Sequence, residues 1–104
     1  MIFRRRRFGD VVERQLKLFA SEHGGLVRDV EAARRAYDRA ERDEAEERYG
    51  DYADLVETAT EVLADLRDTY ATTLAEGDDD EYRDAFNRAV LKRWPRFALE
   101  LEDR

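Results

Sequence analysis

Apolar positions recur along this chain at gaps of three and four. The first run is Phe8, Val12, Leu16 and Phe19, followed in the same phase by His23, Leu26, Val30, Ala33, Tyr37 and Ala40. That spacing marks one face of a helix with a period near 3.5. A second stripe runs Tyr52, Leu55/Val56, Ala59, Val62/Leu63, Leu66, Tyr70 and Leu74, and a third takes in Tyr82, Ala85/Phe86, Ala89/Val90 and Trp94. Residues between the stripes are largely charged, as on the outer faces of packed helices.

Punctuation between the stripes predicts four helices, over about 10–23, 26–49, 51–76 and 80–94. Asp10-Val-Val-Glu13 and Asp78-x-x-Glu81 read as capping boxes, and Asp51 reads as a cap directly after Gly50. Gly77 closes the third stripe. Gly24-Gly25 falls inside the first stripe without changing its phase. Their low helix propensity favours a break there over a kinked continuous helix. In the tail 95–104, Phe97, Leu99 and Leu101 alternate as in a strand, yet Trp94, Phe97/Ala98 and Leu101 also fit a helix. With no other strand in the chain, a short helix restarting at Pro95 is the expectation.

The fold class is therefore all-α: a three- or four-helix antiparallel bundle or a long helical hairpin, within one domain over 1–104, with residues 1–8 as a basic arm. Short connections favour antiparallel neighbours. Long helices with narrow stripes leave apolar surface over, so a homodimer is expected to cover it.

Composition sharpens this picture. The 104 residues are 43% charged and 42% apolar, with five glycines, one proline and no cysteine. Disulfides and thiolate chemistry are excluded, which fits a cytoplasmic setting. The segment after the arginines is broken by Asp10, Glu13, Arg14 and Lys17, so it does not read as a secretory signal. No stretch approaches the ~20 apolar residues of a membrane span. Net charge is -7, unevenly spread: residues 1–23 carry +3 and residues 51–77 carry -6.

Four features could carry chemistry. Arg4, Arg5, Arg6 and Arg7, flanked by Ile2, Phe3 and Phe8, could bind nucleic acid, an anionic membrane or an acidic partner. Four cations on so acidic a chain more readily offset its own charge or contact an acidic protein surface. Asp54, Glu57, Glu61, Asp65 and Asp68 form a carboxylate ridge on one face of the third helix. Glu57, Glu61 and Asp65 are its candidates for a hard cation. Helical di-metal sites also use histidine from a Glu-x-x-His spacing, whereas the sole histidine, His23, directly follows Glu22. The ridge is better read as a solvated face, or as an ion-pair seam with Arg28, Arg35, Arg39 and Arg42, and no metal or cofactor is expected. His23 has no nucleophile at a usable spacing. Trp94, Arg96 and Phe97, gathered at a helix interruption, are the types that anchor protein interfaces.

No phosphate loop, zinc spacing or hydrolase elbow is present. The sequence points to a non-catalytic helical protein that acts by binding a protein partner or itself. Binding of nucleic acid or anionic membrane through Arg4–Arg7 is the alternative, and a carboxylate metal bundle is a second.

Overall fold

The computed structural model describes residues 7–104. Among them the chain forms five helices and no strand: α1 Gly9–Glu22, α2 Gly24–Asp38, α3 Ala45–Ala71, α4 Asp78–Arg93 and α5 Pro95–Glu102. None is long and apolar enough to cross a membrane.

α1 buries Val12, Leu16 and Phe19, the positions its period predicts. It stops at His23, whose φ of -120° and ψ of 28° leave helical geometry for one residue. Gly24 restarts the chain at once as the first residue of α2. The His23 N–H still donates to the Phe19 carbonyl at 2.8 Å, and the Val27 N–H to the His23 carbonyl at 3.1 Å. The break at the glycines is real, but it is one residue wide, and both glycines belong to the following helix.

The expected boundary at Gly50-Asp51 is not where the chain reverses. α2 ends at Asp38, residues 39–44 make the turn, and α3 runs for 27 residues straight through Gly50. One glycine costs a helix about 1 kcal/mol, which strong formers on both sides offset. Glu46 and Glu47 in the first turn also complement the helix dipole. No glycine or proline marks the actual turn. It is closed by Tyr37 and Tyr49, edge-to-face at 5.4 Å, while Arg34 sits 5.8 Å from the centre of the Tyr52 ring. These pairs show α2 returning along the first half of α3.

α3 ends at Ala71, five residues before its expected end at 76. The hydroxyls of Thr72 and Thr73 donate to the carbonyls of Thr69 and Tyr70, each at 2.7 Å, and so compete with continued helix. Neither capping box forms. Asp10 and Asp78 lie inside their helices, and the cap positions are Phe8 and Gly77. Gly77 has a φ of 93°, the left-handed region that glycine enters without a Cβ penalty. α5 begins with Pro95 and buries Phe97, Ala98 and Leu101, so the tail is helical as expected.

The core collects where α1, α3, α4 and α5 meet, around Phe19, Leu63, Tyr82, Phe86, Phe97 and Leu101. The other end of the molecule differs. No residue from 31 to 55 is buried, although all but the turn at 39–44 are helical. The described chain measures 51 × 24 × 23 Å, with a radius of gyration of 15.6 Å. A compact chain of this length would have a radius of about 13 Å.

Candidate functional site

Arg7 is the one member of the arginine run among the described residues, and Arg4, Arg5 and Arg6 lie outside them. Its guanidinium donates to both carboxylate oxygens of Asp78, at 2.9 and 3.0 Å, and reaches Glu81 at 3.5 Å. The hydrogen bond and charge of Asp78 hold the Arg7 pKa above its ordinary value. Asp78 opens α4 in an acid-rich first turn, so the end of the arm is fastened to an acidic helix start of its own chain. Phe8 follows as a buried anchor, edge-to-face with Tyr82 at 5.6 Å.

The Trp94–Phe97 cluster is largely an internal joint. Phe97 is buried. Trp94 is half-buried, edge-to-face with Phe19 at 5.3 Å and 6.2 Å from Phe97, with the Arg93 guanidinium 4.8 Å from its ring. Arg96 donates to Glu31 of α2 at 2.9 Å. Of the three residues named as partner anchors, Phe97 is thus spent on the core, and only Trp94 and Arg96 reach the surface.

The two charged ridges do not meet. Among the described residues, none of Arg28, Arg35, Arg39 or Arg42 forms an ion pair with the carboxylates of α3. Helical geometry explains this. Asp54, Glu57, Glu61 and Asp65 centre about 120° around α3 from its buried face, so they point outward, whichever neighbour packs there. Glu57, Glu61 and Asp65 are exposed, and no group of three potential ligands that could hold a metal occurs among the described residues. Glu61 has Arg104 at 4.0 Å instead. His23 stacks on Phe19 at 5.4 Å, a packing role.

Three features escaped the sequence pattern. The first is Arg67, the one buried charge among the described residues. It donates to Asp68 at 2.8 Å, to the Asn87 side chain at 3.0 Å and to the Leu101 carbonyl at 3.1 Å, tying α3 to α4 and α5. Its place four residues from both Leu63 and Ala71 was the available signal. Burial acts to raise the Asp68 pKa, but Arg67 and Arg83 outweigh it and hold the carboxyl below its ordinary value. The second is the exposed group Tyr37, Tyr49 and Leu99, with Leu99 81% exposed. Tyr49 and Leu99 line one shallow groove of about 410 Å³ between α3 and α5.

The third is a groove of about 670 Å³ between α1 and α4. Val12, Leu16, Ala85 and Ala89 form its floor, and Lys17, Arg88, Lys92 and Arg93 its rim. The i, i+4 spacing of Ala85/Ala89 and of Arg88/Lys92 was visible in the sequence, but nothing there showed that α1 would pack beside them.

Compared with protein-family models, curated proteins and solved structures, the chain matches none.

Proposed function

We propose that this is a small non-catalytic helical protein that acts through protein–protein association, first of all with a second copy of itself, in a cytoplasmic setting. One observation carries the reading: the helical tip formed by α2 and the start of α3 contains no buried residue between Val30 and Val56. Helices of this length are marginal in water without tertiary burial of an apolar face. Their half-buried apolar residues, Ala33, Ala36, Ala45 and Tyr52, together with exposed Tyr37 and Tyr49, supply such a face. A second tip laid against the first would cover both and complete an antiparallel helical bundle. Tyrosine is a favoured interface anchor, because it buries much area while ordering few torsions.

Light scattering in line with size exclusion tests this. The expected mass is twice 12.3 kDa, and Tyr37→Asp with Tyr49→Asp is expected to reduce it to one copy. A single-copy mass for the unaltered protein at hundreds of micromolar would overturn the dimer. The nucleic-acid or membrane alternative is less favoured, because Arg7 is already engaged by Asp78 and Glu81. Measuring absorbance at 260 nm in the same experiment would reveal co-purifying nucleic acid.

A further inference from the structure

We infer that the groove between α1 and α4 is a docking site for an acidic amphipathic helix of a partner protein. This rests on the association reading above, but it uses a different surface from the self-association tip. Charge complementarity carries it. The molecule is acidic overall, at -7, yet this groove has Lys17, Arg88, Lys92 and Arg93 around it against a single carboxylate, Glu13. Glu13 is already 3.5 Å from Lys17. Arg88, Lys92 and Arg93, like several other surface arginines, have no ion-pair partner among the described residues; what sets them apart is that they gather with Lys17 around one apolar floor.

The shape agrees with the charge. The groove follows α1 from Gly9 to Lys17 and α4 from Ala85 to Arg93. Each wall is about 12 Å long at 1.5 Å per residue, enough for two to three turns of an incoming helix. Ala85 and Ala89 are small, so a visiting side chain can reach the floor between them. Leu91, half exposed at one edge, offers further apolar contact. A helix with apolar residues at i, i+3 or i+4, and i+7, and carboxylates on its flanks, satisfies both floor and rim. A phosphate backbone would satisfy the rim alone and leave the apolar floor unmatched.

The test uses fluorescence anisotropy with the full chain and a labelled synthetic helix carrying leucines at i, i+3 and i+7 and glutamates elsewhere. Three controls accompany it: the same composition scrambled, a lysine-for-glutamate version, and a labelled 20-base-pair DNA duplex. The expected result is saturable binding of the first peptide, weakened about tenfold by Arg88→Glu with Lys92→Glu and weakened by added salt. Both substituted residues are exposed, so the variant is expected to keep its circular dichroism spectrum. Ala89→Leu, which fills the floor without changing charge, is expected to weaken binding as well.

No binding, equal binding of the scrambled peptide, or tighter binding of the duplex would overturn the inference. So would a groove variant that loses self-association instead of peptide, because the occupant would then be a second copy. If the peptide fails while the two-copy mass persists, the docking site falls and the association reading stands. If the mass fails while the peptide binds, the reverse holds.

Discussion

Arg67 shows how one side chain can lock three helices. Its guanidinium bonds to Asp68, to Asn87 and to the Leu101 carbonyl from a nearly sealed position. Every buried side-chain nitrogen or oxygen among the described residues has a partner, so shortening this one orphans several at once. Arg67→Ala is expected to cost about 2–4 kcal/mol, from the unpaired groups at Asn87 and Leu101 and the cavity left behind, and Arg67→Met less, because an apolar side chain of similar length refills the volume. Urea unfolding would show it, and equal losses for the two would contradict it. Asp68 adds a dependence on acid. Its pKa is lowered in the folded chain, so its contribution is present above the unfolded value near 4 and is lost as pH falls through the folded one. Tyr82 acts at the opposite extreme. Burial, resisted by the hydrogen bond to Gln15, pushes its hydroxyl up to about 12. The unfolded chain then releases the proton first, and stability should fall between about pH 10 and 12. Thermal melts across that range should show the drop, and Tyr82→Phe should lessen it. The burial of Tyr82 was legible, since it sits on an apolar stripe. The bonds of Arg67 to Asn87 and to the Leu101 carbonyl were not, because those partners come from α4 and α5, 20 and 34 positions away.

At the scale of the helix, the sequence announced which stretches are helical more reliably than where they stop. Stripes follow from the 3.6-residue period, which is local. Boundaries depend on what the helix packs against. Gly50 looked like a terminus and is mid-helix, whereas the true turn at 39–44 carries no breaker, because a tyrosine contact closes it. Thr72 and Thr73 ended α3 by bonding to its own carbonyls, a competition that propensity alone does not place. The glycines can be separated by experiment. A Cβ at Gly50 would meet nothing within 4 Å, so Gly50→Ala should stabilise the protein by about 0.5–1 kcal/mol. Gly77→Ala meets no atom either, yet it forces a side chain into the left-handed region and should cost about 1–2 kcal/mol. Opposite signs in denaturant midpoints would confirm the two backbone states.

For the whole molecule, the all-helical class was readable from the period of the stripes. The groove between α1 and α4 was not, because it exists only once Val12 and Leu16 of one helix lie beside Ala85 and Ala89 of another. That Phe97 turns inward while Leu99 turns out was legible, because the helical reading of the tail set Phe97, Ala98 and Leu101 on one face and left Leu99 off it. The proposals divide the molecule accordingly, with self-association at the α2–α3 tip and partner docking between α1 and α4.

The unburied stretch from 31 to 55 also has a consequence in time. Backbone amides are released to solvent by local opening, and the energy of opening tracks how much packing must be undone. Around Leu63, Tyr82 and Phe86 that is nearly the whole core. At the tip it is the aromatic contacts of Tyr37, Tyr49 and Tyr52 with half-buried alanines, and no fully buried side chain. Deuterium should therefore enter the amides of residues 35–50 early and, on the proposed self-association, more slowly as protein concentration rises, while the amides around Leu63 keep one rate. The helical tip would behave as a segment whose order is set by how many copies surround it.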